Sequence, residues 1–189
     1  MHTRHTRSSR GFTLIEVLVA VFVFAVGILG AGAAQVAALK TRHATALLSS
    51  GVHLAGSLAD RMRANSVQMH AADSLNAYLQ LRYDADDGPP APPALMCFAG
   101  SNCTSAQMAA FDLYEVAHAV HAAYPGARIA VCRDGAVGDG GPRALAWECT
   151  GAVTAPIVIT LGWRGRQAAG AAAAPFAPAV AIVVAGAFE

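Results

Sequence analysis

The chain has 189 residues, enough for one ordinary domain or for a smaller domain with an appendage. Hydrophobic residues make up 55% of it and charged residues only 13%, a composition too apolar for a nucleic-acid-binding protein or a disordered tail. The net charge is +1, but Arg4, Arg7 and Arg10 stand in a start that contains no acid, so the remainder is slightly acidic. We therefore expect no nucleic-acid partner.

An unbroken run of 18 apolar or glycine residues extends from Val17 to Ala34. A helix of this length can cross a hydrocarbon core about 30 Å thick. A secretory signal peptide is one alternative, because the basic start is present and small residues before Ala34 offer a cleavage site. The run nevertheless exceeds the roughly 7–15 residues usual in signal peptides. Neither this alternative nor a plain signal anchor explains Glu16, because an ionised side chain at membrane depth is costly and usually functional.

The residues around Glu16 resemble a known processing motif. Residues 10–18, with the sequence RGFTLIEVL, resemble the type IV prepilin motif, which a dedicated peptidase cuts after the glycine on the cytoplasmic side. The resemblance implies cleavage between Gly11 and Phe12, N-methylation of Phe12 and loss of a basic leader, residues 1–11. Glu16 then becomes the fifth mature residue, where this family carries a glutamate. In a filament, its carboxylate can pair with the α-amine of a neighbouring subunit.

The helical pattern continues beyond the apolar run. Apolar side chains recur at spacings of three, four or seven from Val36 to Met62, which predicts an amphipathic helix. We expect residues 12–35 to form the transmembrane and filament-core helix and residues 36–66 to continue it. Residues 67–189 are then the exported globular domain.

The exported domain is predicted to combine a helix with strands. A capping box at Thr104 and Gln107 begins the helix, and Pro125 follows its end. Residues 78–83 fit a short strand or a helical turn. Strands are predicted over residues 128–132, 144–149, 156–163 and 179–185. The order favours an α+β fold, in which a long N-terminal helix packs on a small antiparallel sheet with one further helix, the pilin-like arrangement.

Two polar groups could suggest a metal site but fit other interpretations better. The acidic residues Asp84, Asp86 and Asp87 lack the spacing of an EF-hand, and we interpret them as a solvated turn. Glu115, His118 and His121 recur every three residues, whereas a zinc-binding helix prefers histidines at i and i+4. We expect no metal and no cofactor. We also expect no enzymatic activity, because the sequence has no nucleophile elbow, paired acid motif or phosphate loop.

All four cysteines, Cys97, Cys103, Cys132 and Cys149, follow the predicted membrane segment. Four cysteines allow three pairings. We favour Cys97–Cys103 and Cys132–Cys149, because each pair spans one local loop, and an even number beyond an export signal suggests the periplasm. Zinc binding is the rival interpretation, although no Cys-x2-Cys pair occurs, and buried reduced thiols are a third.

Three later segments resemble the PilV-type minor pilins, which are type IV pilus modification proteins. They are residues 58–65 (LADRMRAN), 103–113 (CTSAQMAAFDL) and 157–163 (IVITLGW). Typical members carry a Trp where this chain has Tyr114. Asp60 and Arg61 are interpreted as a salt-bridged helix end with a structural role.

This resemblance implies a minor pilin that helps to initiate, assemble or modify type IV pili, and thereby supports twitching motility. The implied partners are prepilin peptidase, other minor and major pilins, an inner-membrane assembly platform and membrane lipid. We expect a single-pass protein of the bacterial inner membrane with its C-terminal domain in the periplasm, incorporated into the pilus after assembly. A minor pseudopilin of a type II secretion system is one alternative, and a membrane-anchored adhesin or binding module is another.

Overall fold

The structure, a computed structural model, describes residues 11, 13–98, 101–137, 145–165 and 176–185. The chain divides into two units, Met1–Thr45 and Ala46–Glu189. The segment boundaries proposed at residues 35 and 66 stay predictions.

The first unit contains the N-terminal part of helix α1, which runs from Leu14 to Ala64. The helix begins where the carbonyl of Thr13 accepts hydrogen bonds from the amides of Glu16 (3.1 Å) and Val17 (3.3 Å). Side chains described in this unit are all exposed. By length and composition, α1 is the one helix among the described residues that is apolar enough to cross a membrane.

The second unit combines the end of α1, two further helices and a four-stranded sheet. The helices are α2 (Ser66–Met69) and α3 (Ser105–Ala123). The strands are β1 (Arg82–Asp84), β2 (Arg128–Arg133), β3 (Ile157–Gly162) and β4 (Val180–Ala185). Short 3₁₀ turns at Ala77–Gln80 and Ala85–Asp87 flank β1. The strands lie in the order β1-β2-β3-β4 and every neighbouring pair is antiparallel. The predicted α+β, pilin-like fold is confirmed.

One face of the sheet forms the core with α1 and α3. Side chains of a strand alternate between the two faces, so one face of β3 contributes Ile157, Ile159 and Leu161, each at most 1% exposed. Leu58 of α1 and Val120 of α3 belong to the same buried cluster. Within the second unit, the apolar spacing of α1 therefore marks the side of the helix that faces the core, whereas Val36 and Leu39 of the same pattern are exposed.

The close packing of α1 on the sheet explains why this helix contains a glycine at position 51. A glycine inside a helix is unfavourable by about 1 kcal/mol relative to alanine. Here a Cβ atom would lie 3.0 Å from the ring of Trp163 and 3.4 Å from the side chain of Leu161. The missing side chain lets the helix approach the sheet closely. At Gly56, by contrast, nothing lies within 4 Å of the Cβ position.

The second face of the sheet is also covered, a feature not predicted from the sequence. Thr160, on this face of β3, is only 2% exposed. A strand was predicted over residues 144–149, but residues 145–149 form none, and residue 144 lies outside the described part. Instead Trp147 lies against Gly162, where a Cβ atom would be 3.0 Å from its ring, and the indole N–H donates to the carbonyl of Phe176 at 2.6 Å. The prediction was wrong because this segment is held to the sheet by side chains.

The structure contains two disulfides, Cys97–Cys103 and Cys132–Cys149, the pairing favoured from the sequence. Their Cα–Cα distances are 6.0 and 6.2 Å, within the ordinary range. The first disulfide lies directly before Thr104, whose hydroxyl accepts from the amide of Gln107 in the capping box of α3. The second joins Cys149 of the segment that covers the sheet, residues 145–149 (the covering segment), to Cys132 of β2.

We expect non-reducing peptide mapping to link Cys97 to Cys103 and Cys132 to Cys149. Replacing Cys132 and Cys149 by serine should lower the free energy of unfolding by about 2–4 kcal/mol, measured by denaturant titration in detergent, because the bond restricts the unfolded chain. The matched Cys97→Ser/Cys103→Ser variant should lose less, since its loop is shorter. Four thiols that alkylate in the native protein, or bound zinc, would contradict the pairing.

Candidate functional site

The start of α1 presents a glycine and a carboxylate that the fold itself does not use. Gly11 is exposed, and no described atom lies within 4 Å of the position that a Cβ would take. Phe12 lies outside the described residues. Glu16 lies in the first turn of α1, where the partial positive charge of the helix N-terminus favours a carboxylate. Its side chain is exposed and forms no salt bridge with another described residue.

The other end of α1 is fixed to α3 by a polar cluster around Asp112, which is 5% exposed. Its carboxylate accepts hydrogen bonds from the guanidinium of Arg61 at 3.0 Å and from the hydroxyl of Tyr78 at 2.7 Å. Arg61 also donates to Glu115, one turn further along α3. Two carboxylates of α3 therefore hold one cation of α1.

Asn65 extends this cluster to the first residue of α3. Its amide donates to the hydroxyl of Tyr78 at 3.2 Å and to the carbonyl of Ser105 at 2.8 Å. The Ser105 hydroxyl in turn donates to the Asn65 side-chain carbonyl. Each of these buried or half-buried polar groups has a partner, and such networks fix one relative placement of two helices.

The cluster shifts two pKa values in the same direction. Burial, and then the hydrogen bond to Asp112, raise the pKa of the Tyr78 hydroxyl well above its usual range. The phenol therefore stays a neutral donor. The hydrogen bond to Glu115 acts most strongly on Arg61 and raises its pKa, although burial opposes this.

Asp60 and Arg61 both form salt bridges, but not with each other. Neighbouring residues on a helix point in different directions. Asp60 pairs with Arg63 at 2.8 Å, whereas Arg61 reaches α3. The guanidinium of Arg63 also donates to the carbonyl of Val184 in β4 at 2.9 Å. The end of α1 is thus bound both to α3 and to the last strand.

Several of the side chains considered as metal ligands have other partners. The carboxylate of Asp84 accepts two hydrogen bonds from Arg128, at 2.7 and 3.0 Å. Burial tends to raise the pKa of Asp84, but the hydrogen bond and charge of Arg128 outweigh it, so the pKa is lowered. Nδ1 of His121 lies 2.8 Å from the hydroxyl of Tyr83. Over the described ranges, no group of three His, Cys, Asp or Glu side chains is placed to hold a metal ion.

Two family models match adjoining parts of the chain. A model described as the prokaryotic N-terminal methylation motif matches residues 6–32, which include Gly11, Phe12 and Glu16. A model described as type IV pilin Tt1218 matches residues 33–114. The chain is a type IV prepilin-like protein. No curated protein and no solved structure matches this pilin.

The second match covers both sides of the polar cluster in the pilin. It includes Arg61 and Asn65 at the end of α1 and Asp112 on α3, and it ends at Tyr114, just before Glu115. Strands β2, β3 and β4 lie beyond it. The attachment of α1 to α3 therefore belongs to the matched part of the chain.

Replacing Asp112 by alanine should lower the free energy of unfolding by about 2–3 kcal/mol. Tyr78 would lose a charged acceptor, and hydrogen bonds to charged groups contribute about 1.5–3 kcal/mol. Asp60→Ala is the matched control, because its side chain is 79% exposed and its pair lies on one helix. It should change stability by less than about 0.5 kcal/mol. Thermal unfolding of the detergent-solubilised protein measures both, and equal effects would show that the cluster does not fix the helix end.

Proposed function

We propose that this protein is a minor pilin, a structural subunit that helps to initiate, assemble or modify type IV pili. The observation that carries the proposal is the exposed Glu16, which has no salt-bridge partner in the described part of the chain. It lies at the start of a long apolar helix, directly after the motif at Gly11 and Phe12. The same helix continues into a small α+β unit with two disulfides. Type IV pilins are structural proteins, and we propose no catalytic role for this one.

Maturation follows from this assignment. We propose that prepilin peptidase cuts between Gly11 and Phe12, removes residues 1–11, and leaves Phe12 as the N-methylated first residue. The open space around Gly11 supports recognition by the peptidase as the reason for this glycine, because the described fold does not require it. Cleavage creates a cationic α-amine at the head of the apolar helix.

Assembly then gives Glu16 a role. A carboxylate among packed apolar helices needs an opposite charge, since leaving it unpaired in a low dielectric is costly. Glu16 forms no salt bridge with a described residue. We propose that the partner is the α-amine of Phe12 in a neighbouring pilin, so that the ion pair fixes the register of adjacent helices.

The narrower assignment to the PilV-type minor pilins rests on two segments that meet in space. Residues 58–65 and 103–113, which resemble those proteins, are joined by the Arg61–Asp112 salt bridge and by hydrogen bonds between Asn65 and Ser105. Two resembling segments that form one contact support a shared structural feature more strongly than two separate resemblances would.

We propose a single-pass orientation in the bacterial inner membrane with the C-terminal domain in the periplasm. Three arginines of the leader would remain on the cytoplasmic side, as the distribution of basic residues around membrane helices favours. The two disulfides suit an oxidising compartment. The partners on this proposal are prepilin peptidase, other minor and major pilins, the inner-membrane assembly platform and membrane lipid.

Two variants of the motif should separate processing from assembly. Gly11→Leu should fold but remain uncut, because nothing described crowds position 11 and only the peptidase would reject the larger side chain. Glu16→Ala should insert and be cut, since a more apolar helix start favours insertion. It should then fail to enter pili, with at least a tenfold loss in sheared filaments. Immunoblots of membranes and sheared filaments measure both steps.

Glu16→Asp is the control, because it keeps the charge and should retain part of the incorporation. Normal incorporation of Glu16→Ala would mean that the carboxylate merely lies at the membrane surface. An uncut Glu16→Ala protein would assign the carboxylate to recognition by the peptidase instead.

Deleting the gene should reduce surface piliation and twitching motility while leaving type II secretion intact. The reason is that a subunit used to initiate or modify pili acts upstream of filament growth. Piliation, motility and the amount of a secreted substrate are measured in the same strain, with the restored gene as control. A secretion defect with normal pili would establish the pseudopilin alternative.

A further inference from the structure

Two basic residues follow the apolar run of α1 and have no partner in the described chain. Lys40 and Arg42 are the only lysine or arginine residues between Arg10 and Arg61. Both side chains are exposed, and neither forms a salt bridge with a described residue. Neither charge is neutralised by a described residue, so both are available to an external anion.

The rise of the helix places these residues at a definite depth. A hydrocarbon core about 30 Å thick needs about 20 helical residues at 1.5 Å each, which brings a helix entering at Val17 to Val36. Lys40 and Arg42 then lie about 6 and 9 Å further along the axis. The polar headgroup layer is about 5–8 Å thick on each side, so both side chains reach the level of the phosphates.

The direction of the two side chains favours lipid over a protein surface. Residues two apart on an α-helix are separated by about 200°, so Lys40 and Arg42 project to nearly opposite sides of α1. One flat protein surface can pair with only one of them. Phospholipid headgroups surround an inserted helix and can pair with both.

The neighbouring threonines fit the same environment. The hydroxyl of Thr41 donates to the carbonyl of Ala37 at 3.2 Å, and that of Thr45 donates to the carbonyl of Thr41 at 3.0 Å. A hydroxyl bonded back to its own helix needs no water. The two hydroxyls are thus satisfied within the helix, whereas no described side chain neutralises Lys40 or Arg42.

We propose that Lys40 and Arg42 bind the phosphates of anionic phospholipids in the leaflet opposite the leader. The proposal rests on the membrane insertion of α1 argued under the proposed function. Once the leader and its three arginines are removed, this contact holds the mature subunit at a fixed depth. The contact must be released when the subunit leaves the membrane for a filament.

The test uses the processed full-length protein in detergent, titrated with phosphatidylglycerol and observed by native mass spectrometry. The Lys40→Gln/Arg42→Gln variant should bind phosphatidylglycerol about 30-fold more weakly, because each basic residue near an anionic surface contributes about fivefold. Binding of phosphatidylcholine should not change. The charge-conserving Lys40→Arg/Arg42→Lys variant should bind like the wild type, as should Arg128→Gln, which removes a cation from the second unit.

Two outcomes would overturn the proposal. One is equal binding of phosphatidylglycerol by the wild type and by the double glutamine variant. The other is a variant that keeps its lipid but no longer co-purifies with another pilin, which would assign the two cations to a protein contact.

Flotation with vesicles of pure phosphatidylcholine separates this proposal from the proposed function. The wild-type protein and the Lys40→Gln/Arg42→Gln variant should both float if α1 inserts through its apolar side chains alone. A wild-type protein that stays in the aqueous fraction would overturn the membrane anchoring and the lipid contact together.

Discussion

The apolar half of α1 cannot be covered by its own unit, and this constraint determines how the protein works. Phe24 and Leu29 remain 69% and 75% exposed, and the side chains described around them are exposed as well. Burying one such side chain contributes about 1.5–3 kcal/mol, so exposing the whole segment to water is prohibitive. Lipid can cover this surface before assembly, and the equivalent helices of other subunits can cover it afterwards. Exchange of a lipid environment for the helices of other subunits is the behaviour expected of a pilin.

The charged residues of this helix determine how specifically it is positioned against its neighbours. Apolar helix surfaces slide past one another with little preference for register, whereas an ion pair in a low dielectric has one favourable geometry. Glu16 at one end of the apolar segment, and Lys40 with Arg42 just beyond the other, are the ionisable residues that border it. On this account the carboxylate defines the position in the filament and the two cations define the position in the membrane.

In the second unit, by contrast, the end of α1 is held in one position against the rest of the domain. Leu58 of α1 is buried in the same core as the strands, and close approach at Gly51 brings the helix against Trp163. The buried carboxylate of Asp112 then favours one placement of Arg61. A shift of one residue along α1 would rotate Arg61 by about 100° away from Asp112 and Glu115.

Much of this could be predicted from the sequence, since apolar periodicity, the capping box at Thr104 and the alternation along β3 are local signals. The motif around Glu16 is local too. The covering segment around Trp147 could not be predicted, because an alternating pattern does not show whether backbone or side chains hold a segment to a sheet. The Arg61–Asp112 contact was missed for a related reason: it joins residues 51 positions apart, and its only signal was that both lie in segments resembling the same proteins.

The intact mass of this protein in sheared, purified pili tests the central claim most directly. The account predicts a chain that begins at N-methylated Phe12, with both disulfides oxidised, present at low copy number beside a major subunit. A mature chain beginning at Ala34, or full-length protein found only in the membrane fraction, would contradict it.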